Sequence, residues 1–294
     1  MPFSLKNVSY TYQKGTVFAQ EAIREINLTI NDGEILAILG ATGSGKSTLL
    51  QLLNGLLIAS QGIVIYNNRN LATLSRKELV TLRQQVGMVF QYPEQQIFAE
   101  RVYDEIAFGP LNLGLNEEEV DKRVRESMLQ VGLDFEEYYY RQTKALSSGE
   151  KRRVALAGIL ALKPRYLLLD EPTAGLDFEG RRSVINCLQE LNQRDNITII
   201  FVTHHLQDLY HLCKRLLILD KGEVKLDISA CELWQNYNRI KELEVELPPH
   251  LEVAYQLQQR GWHLDTKDDI SIKAIARQIA LNYISRQEQS CSGV

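Results

Sequence analysis

Hydrophobic and polar residues follow two different patterns near the start of the chain, and each pattern predicts a different kind of strand. Strict alternation over 26–30 predicts a half-buried strand. A continuous apolar run over 35–39 predicts a strand buried on both faces of a mostly parallel sheet. Between them, Asn31, Asp32 and Gly33 have the turn chemistry of a hairpin. We therefore expect an antiparallel sheet to open the chain, with a hairpin leading into the buried strand.

Later apolar runs repeat the buried-strand pattern. They cover 166–169 and 197–202, and an amphipathic helical stretch around 184–191 lies between them. A leucine-rich helix is predicted over 46–57, directly after a glycine-rich loop. This alternation of strands and helices predicts an α/β fold.

A helical interval separates the two halves of the predicted sheet. Asn116 is predicted to cap a helix, with Glu119 reaching back in a capping box and Gly132 ending the helix. A second helix is predicted over about 149–162. Together these segments predict an inserted helical subdomain at about 92–163.

The pattern changes again after the main domain, which we predict to span 1–235. Leu-Pro-Pro at 247–249 breaks the chain, and amphipathic helices are predicted near 251–260 and 272–284. We interpret 236–294 as a small C-terminal helical extension.

Composition narrows the classes of partner. The chain has 33 Lys and Arg against 37 Asp and Glu, so it lacks the basic footprint expected of a protein that binds nucleic acid. The four cysteines, at 187, 213, 231 and 291, have no C-x-x-C pairing and are interpreted as reduced cytosolic thiols. Neither a signal peptide nor an apolar run of about 18 residues is apparent, so we expect membrane contact to be peripheral.

A phosphate-binding motif lies between the predicted buried strand and the leucine-rich helix. The segment fits G-x-x-x-x-G-K-S/T. Its glycines allow backbone N–H groups to surround phosphate oxygens at a helix N-terminus. Lys46 would neutralise the β- and γ-phosphates, and the Ser47 hydroxyl would bind Mg²⁺. A fortuitous glycine turn is the alternative. The nucleotide-binding candidates here are Gly40, Ala41, Thr42, Gly43, Ser44, Gly45, Lys46, Ser47 and Thr48.

Two acidic residues end the buried run at 166–169. Asp170 would orient the Mg²⁺ shell, and Glu171 would act as general base on the attacking water. Acidic residues at a strand end can also be ordinary turn residues. The phosphate-binding motif elsewhere in the chain favours the hydrolytic interpretation.

Two further segments carry a family resemblance. LSSGEKRR at 146–153 and DEPTAGLD at 170–177 resemble the signature loop, the Walker B strand and the D-loop of ABC ATPases. The resemblance implies a P-loop NTPase (RecA-like) core with an N-terminal antiparallel β-subdomain, the inserted helical subdomain and the C-terminal extension. It also implies that Ser147 and Gly149 close over the γ-phosphate held by a second subunit, so that dimerisation is part of the chemistry.

Other residues match this family in chain order. Tyr12 resembles the aromatic residue that stacks on adenine, with ordinary core packing as the alternative. Gln91 matches the Q-loop glutamine, which contacts the metal or its water and senses the transporter. His204 matches the switch histidine, which binds the γ-phosphate. The resemblance thus implies ATP and Mg²⁺ as ligands, Glu171, His204 and Gln91 as catalytic residues, and Ser47, Gln91 and Asp170 at the metal.

One subgroup of the family resembles this chain most. FQYPEQQIF at 90–98, FGP at 108–110 and GTVF at 15–18 are similar to the ATPases of energy-coupling factor transporters. This implies a peripheral protein on the cytoplasmic face of the cell membrane that powers uptake of a vitamin or a transition-metal ion. The implied partners are a second ABC ATPase subunit, in a homo- or heterodimer, a transmembrane coupling protein and a membrane substrate-capture protein. The alternatives are a soluble ABC ATPase acting on nucleic acid or ribosomes, and a regulatory module without turnover.

The signature loop departs from the family pattern at two positions. The family prefers Gly where this chain has Ser148, and Gln where it has Glu150. A side chain at Ser148 narrows the backbone approach, and the Glu150 carboxylate adds negative charge near a phosphate. Because this loop serves the opposite subunit, we predict an asymmetric dimer in which this chain's own nucleotide site stays competent.

Two groups of residues keep two interpretations each. Cations at 151–153 in the first turn of a helix oppose the helix dipole, so they indicate either a nearby anionic ligand or structural ion pairs with local acids. Ile97 and Phe98 are candidates for docking a coupling helix of the membrane partner, with core packing as the alternative.

Overall fold

The computed structural model describes residues 2–203, 212–264 and 271–291. The strands are β1 (Phe3–Tyr12), β2 (Gln20–Ile30), β3 (Ile35–Leu39), β4 (Gln61–Tyr66), β5 (Arg69–Asn70), β6 (Val86–Val89), β7 (Tyr166–Asp170), β8 (Thr198–Val202), β9 (Arg215–Asp220) and β10 (Glu223–Ser229). The helices are α1 (Lys46–Leu53), α2 (Arg76–Gln85), α3 (Val102–Asn112), α4 (Glu117–Gln130), α5 (Phe135–Tyr138), α6 (Ser148–Leu160), α7 (Phe178–Asp195), α8 (Tyr237–Glu242), α9 (Pro249–Gln259) and α10 (Ile272–Cys291).

The strands form two sheets. The first is antiparallel, in the order β2-β1-β4-β5, which confirms the predicted antiparallel sheet at the start of the chain. The second has the order β10-β9-β3-β8-β7-β6, and all its neighbours are parallel except β9 and β10. The carboxyl ends of five parallel strands, β3, β6, β7, β8 and β9, therefore meet at one edge, where ligands of open α/β sheets usually bind.

The hairpin predicted at Asn31, Asp32 and Gly33 is wrong, because β2 and β3 belong to different sheets. All five residues of β3 are buried, and the strand pairs with β8 and β9 on its two edges. No edge of β3 is left for β2. The turn is instead tied to the second sheet, since the Gly33 N–H donates to the Thr198 hydroxyl at 2.7 Å and the Asn192 amide donates to the Gly33 carbonyl at 2.9 Å.

The second sheet separates two hydrophobic clusters, which explains its continuous apolar strands. On β3, Ile35, Ala37 and Leu39 pack among the helices of the interval and α7. Leu36 and Ile38 pack on the other face, with α1 and the antiparallel sheet. Full burial of an aliphatic side chain stabilises a fold by about 1.5–3 kcal/mol, so both faces contribute to holding the edge that carries the motifs.

The helical interval contains α3 to α6, between β6 and β7. The Asn116 side chain caps α4 by accepting a hydrogen bond from the Glu119 N–H at 2.9 Å, as predicted. The Glu119 carboxylate pairs with Arg123 at 2.9 Å, and the reciprocal bond of a capping box is not formed among the described residues. α6 spans Ser148–Leu160, close to the predicted 149–162.

The C-terminal helices pack around a small cluster of their own. Leu251, Ala254, Leu264 and Ile275 form it. α9 matches its prediction closely, whereas the backbone of α10 continues to Cys291, beyond the predicted end at 284. The first part of the extension also joins the main core, because Ile240 and Val245 belong to the large cluster. The boundary at 235 stays a prediction.

In the described parts of the chain, we find no helix with the length and apolar character that crossing a bilayer requires.

Candidate nucleotide-binding site

The loop between β3 and α1 has a backbone that only glycine adopts easily. Gly40 and Gly45 have φ angles of +147° and +101°, in the range that disfavours side chains. A Cβ at Gly40 would overlap the Leu219 carbonyl oxygen, and one at Gly45 would overlap the Ala22 carbonyl oxygen. Gly45 is also the N-cap of α1 and supplies no side chain to the first helical N–H groups. These N–H groups are thus available to an anion.

Lys46 lies buried across this loop. Its Nζ donates to the Gly40 carbonyl at 2.8 Å and to the Ala41 carbonyl at 2.9 Å. Burial lowers the pKa of Lys46, and the carboxylates of Glu171 and Asp170 oppose that effect. The ammonium group is thus bound by two loop carbonyls and attracted by two carboxylates, and in this loop it can neutralise phosphate charge.

The buried Ser44 hydroxyl lies in the same loop, 2% exposed, and finds no hydrogen-bond partner among the described residues. A buried polar atom without a partner is uncommon in folded proteins. A phosphate oxygen is a suitable partner for this donor, so the loop fits an anionic ligand.

The predicted acidic pair lies at the end of β7. Burial raises the pKa of Asp170, and the Ser47 side chain opposes the rise. Glu171 is buried as well and has a φ of +53°, which is uncommon outside glycine and concentrates at functional sites. The Thr203 hydroxyl donates to Glu171 Oε2 at 3.4 Å. This long hydrogen bond is one contact that orients the Glu171 carboxylate.

The donors predicted for Mg²⁺ can be tested on this geometry. Ser47 acts on the pKa of Asp170, and the oxygens of both side chains are the ligand type that Mg²⁺ prefers. Gln91 follows β6, the parallel neighbour of β7, and so lies at the same edge of the sheet with an exposed side chain. The residues present therefore fit a hydrated Mg²⁺ shared with phosphate oxygens.

Tyr12 lies beside the nucleotide loop. Its hydroxyl is hydrogen-bonded to the Thr48 hydroxyl at 3.1 Å, in the first turn of α1. Its half-buried ring makes an edge contact with Tyr10, with centroids 4.8 Å apart. The position suits a ring that contacts a base, while the stacking role stays a prediction.

The signature residues lie at the start of α6. Ser147 is the N-cap, and it forms a capping box with Glu150. The Ser147 N–H donates to Glu150 Oε2 at 2.7 Å, and the Glu150 N–H donates to Ser147 Oγ at 3.3 Å. A Cβ at Gly149 would meet no atom within 4 Å. The backbone of this turn therefore faces open space, as contact with a second subunit would require.

The Glu150 carboxylate is compensated inside the chain. It accepts hydrogen bonds from the Tyr138 hydroxyl at 2.7 Å and from Arg141 Nη1 at 3.1 Å. Hydrogen bonds from Tyr138 and then from Ser147 hold the pKa of Glu150 at about 2. The negative charge expected from the sequence is thus present but shared with a local cation.

The cations of this helix have partners of their own. Arg152 is buried and pairs with the Glu94 carboxylate at 3.4 Å, whereas Arg153 donates to the Gly132 carbonyl at 3.3 Å. Of the two interpretations left open for Arg152, a nearby anionic ligand or a structural ion pair, the structure shows the ion pair.

Several residues lie outside the site or were missed by sequence reasoning. His204 falls outside the described residues, so its role stays a prediction. Sequence reasoning missed Thr203, although its place between β8 and His204 was a usable signal.

The two candidates for docking a coupling helix differ in their surroundings. Ile97 packs against the large core cluster, which is the core-packing alternative that the sequence left open. Phe98 is 65% exposed and makes an edge contact with Phe108 at 4.8 Å, so it remains a docking candidate.

Comparisons with known proteins agree with this geometry. A family model described as ABC transporter matches residues 23–174. The energy-coupling factor transporter ATP-binding protein EcfA2 of Caldanaerobacter subterraneus subsp. tengcongensis is 42% identical over 261 residues, which cover 89% of this chain and 91% of that protein. The solved structure of cbiO1 from Clostridium perfringens, described as part of the ABC transporter complex cbiONQ, has a TM-score of 0.73 and 36% identity over 86% of this chain and 98% of that one. A dimeric post-hydrolysis structure of the ATP-binding cassette MJ0796 with ADP and Pi has a TM-score of 0.70 and 30% identity over 78% of this chain and 98% of that one.

The chain belongs to the ABC transporter family, and within it to the ATP-binding proteins of energy-coupling factor importers. It is an ATPase that binds ATP and couples hydrolysis to transport, as the sequence predicted. The predicted P-loop NTPase fold with its antiparallel β-subdomain is confirmed as well. The rival of an ABC ATPase that moves nucleic acid or acts on ribosomes is not supported.

Proposed function

We propose that this chain binds MgATP between its own phosphate loop and the signature loop of a second ABC ATPase subunit, and that closure of this dimer powers uptake through membrane partners. The partners are a transmembrane coupling protein and a membrane substrate-capture protein, with the chain bound peripherally at the cytoplasmic face. The cargo is a vitamin or a transition-metal ion. The subunits form either a homodimer or a heterodimer.

The observation that carries the proposal is the buried position of Lys46, whose ammonium group donates to the loop carbonyls of Gly40 and Ala41. When phosphate enters, Lys46 exchanges these carbonyls for phosphate oxygens. The N–H groups of the loop and of the first turn of α1 bind the remaining oxygens. Ser47 and Asp170 would hold Mg²⁺, which would supply positive charge to the β- and γ-phosphates.

Glu171 is the proposed general base. Its carboxylate is held by Thr203 and accepts the proton of the attacking water at Oε1 or Oε2. Gln91 and His204 complete the γ-phosphate environment, and Tyr12 contacts the base of the nucleotide. Ser147 and Gly149 act on the nucleotide of the second subunit. Closure excludes bulk solvent from the phosphates, apart from the attacking water, and strengthens each of these interactions.

A nucleotide-binding measurement on the full-length protein tests this arrangement. Lys46→Ala removes the buried positive charge of the phosphate loop, so we expect binding of MgATP to weaken by at least about 100-fold, the effect of losing a charge-assisted contact at a buried site. Lys163→Ala is the matched control, because Lys163 forms a surface ion pair with Glu126 at 3.0 Å and leaves the loop untouched. Unchanged binding by Lys46→Ala would contradict the proposed site.

A co-purification experiment tests the partners. When the chain is expressed together with the proposed membrane partners and solubilised in mild detergent, we expect a complex with two ATPase subunits and at least one hydrophobic protein. Reconstitution into vesicles should then give ATP-dependent uptake of the cargo. Recovery of the chain only with nucleic acid, in a salt-sensitive manner, would refute the transport role.

A further inference from the structure

The buried guanidinium group of Arg152 lies where three functional segments meet. The residue belongs to α6, just after the signature turn, and is 7% exposed. Its Nη1 donates to the Ala174 carbonyl at 2.7 Å and to the Pro172 carbonyl at 3.4 Å. Its Nη2 is 3.4 Å from Glu94 Oε2. One planar group therefore holds two backbone carbonyls and one carboxylate at the same time.

The partners of Arg152 are close along the chain to two proposed site residues. The two carbonyls belong to the turn that directly follows Glu171. Glu94 lies shortly after Gln91, in the same segment between β6 and α3. The guanidinium group is thus a physical connection between the turn beside the proposed base and the segment that carries the proposed Q-loop glutamine.

Space and an unused donor accompany this connection. A cavity of about 20 Å³ lies beside the guanidinium group, and its lining includes Pro93, Glu171 and Pro172. The Arg152 Nε has no hydrogen-bond partner among the described residues. Protein interiors are normally close-packed, and buried donors are normally paired. A small void therefore lies next to the guanidinium group and its unpaired donor.

We propose that Arg152 is a positioning residue that transmits the placement of the Glu94 segment to the turn after Glu171. The fork of an arginine fixes the relative positions of the groups that it binds. When the Glu94 segment is held by the membrane partner, Nη2 is held as well, and Nη1 keeps the Pro172 and Ala174 carbonyls in place. The Glu171 carboxylate then stays oriented for its proposed role as base on the attacking water. This inference rests on the proposed role of Glu171 as the base.

A purely structural ion pair would behave differently from a positioning residue. Loss of a buried structural pair lowers stability, because it leaves a charge without its partner. Loss of a purely structural pair is not expected to lower the kcat of the molecules that remain folded while leaving the KM for ATP constant. Separate measurements of KM, kcat and melting temperature therefore distinguish the two roles.

The test uses four variants in the assembled transporter. Glu94→Gln removes the charge and keeps the shape, Arg152→Gln removes the cation, Arg152→Lys keeps the cation but loses the fork, and the fourth combines Glu94→Gln with Arg152→Gln. Glu126→Gln is the matched control, because Glu126 forms an exposed ion pair with Lys163 in the same subdomain.

We expect Glu94→Gln and Arg152→Gln each to lower kcat by about tenfold or more, as misplacement of a catalytic group does, with KM for ATP within about twofold of the parent. The double variant should fall no further than Arg152→Gln alone, since both changes break one connection. Arg152→Lys should recover part of the kcat, and Glu126→Gln should behave as the parent.

Three results would overturn the inference: unchanged kcat in Glu94→Gln, multiplicative losses in the double variant, or losses explained entirely by a smaller folded fraction. Glu171→Gln, measured alongside, separates this inference from the proposed function. If Glu171→Gln abolishes turnover and Glu94→Gln does not lower it, only the inference fails. If Glu171→Gln retains turnover, the proposed function fails first.

Discussion

Replacing Glu150 with glutamine tests whether the Glu150 carboxylate stabilises the fold of this chain and at the same time lowers ATP turnover at the partner's site. The carboxylate accepts from Tyr138, Arg141 and the Ser147 N–H, and these contacts hold its pKa at about 2 against an ordinary value of 4.5. At about 1.4 kcal/mol per pKa unit, the ionised form gains at most about 3.4 kcal/mol on folding. Because this side chain still contacts solvent, screening reduces the figure to about 1–2 kcal/mol.

The sign of the pH dependence follows from the lowered pKa. The folded state holds the proton less tightly than the unfolded state, so the contribution is complete above about pH 4.5 and is lost as the pH falls towards 2. At neutral pH, Glu150→Gln should therefore lower the free energy of unfolding by about 1–2 kcal/mol, while at pH 3 the difference should shrink. Thermal or urea unfolding at the two pH values measures this. An equal difference at both would refute the electrostatic reasoning.

The same substitution should act on the opposite nucleotide site. Glutamine restores the family residue and removes a carboxylate from the loop that we propose to face the partner's phosphate. We expect ATP turnover at the partner's site to rise by a few-fold, which corresponds to about 1 kcal/mol of relieved repulsion. Mixed dimers carrying Glu171→Gln in one subunit at a time assign turnover to each site. If the parent dimer loses turnover only when the partner's glutamate is changed, the predicted asymmetry is wrong.

Two further substitutions test the phosphate loop and the docking surface. Gly40→Ala places a Cβ against the Leu219 carbonyl oxygen, so we expect it to abolish ATP binding and to lower the free energy of unfolding by about 2 kcal/mol or more. Gly114→Ala is the control, because Gly114 has a positive φ but its Cβ would meet no neighbour within 4 Å; it should lower the free energy of unfolding by about 1 kcal/mol and keep ATP binding. Nucleotide titration and thermal unfolding measure the two effects, and equal effects of the two substitutions would contradict the steric argument. Phe98→Ala should leave ATPase activity of the purified subunit intact and lower uptake in vesicles by about tenfold, as loss of an interface anchor does. Leu129→Ala, at a side chain that is 78% exposed against 65% for Phe98, should change neither. Normal uptake by Phe98→Ala would refute docking there.

Local features of the chain were the most predictable from sequence. The phosphate loop, the acidic pair and the capped start of α4 depend on residues within a few positions of one another, and each lies where its motif places it. Turn chemistry also identified the turn at Asn31, Asp32 and Gly33 correctly. Turn residues do not specify which strands pair, however, and the predicted hairpin failed because β3 found both its neighbours far along the chain.

The contacts that tune the site were not predictable in the same way. Arg152 reaches Glu94 across 58 positions, and Thr203 reaches Glu171 across 32. Such pairs depend on the relative placement of α6, β7 and β8, which periodicity does not encode. Glu150 shows the same limit, since the sequence indicated a negative charge in the signature loop but gave no sign that Tyr138 and Arg141 compensate it.

The central claim is that Glu171 activates water against a triphosphate held by this chain's phosphate loop within a closed dimer. The most direct measurement is a single-turnover experiment on the assembled transporter with Glu171→Gln in this chain and radiolabelled ATP. We predict that the variant binds ATP, stays closed as a dimer, and releases phosphate from this site at least about 1000-fold more slowly than the parent, as expected when a general base is lost. Phosphate release from this site at the parent rate would contradict the claim.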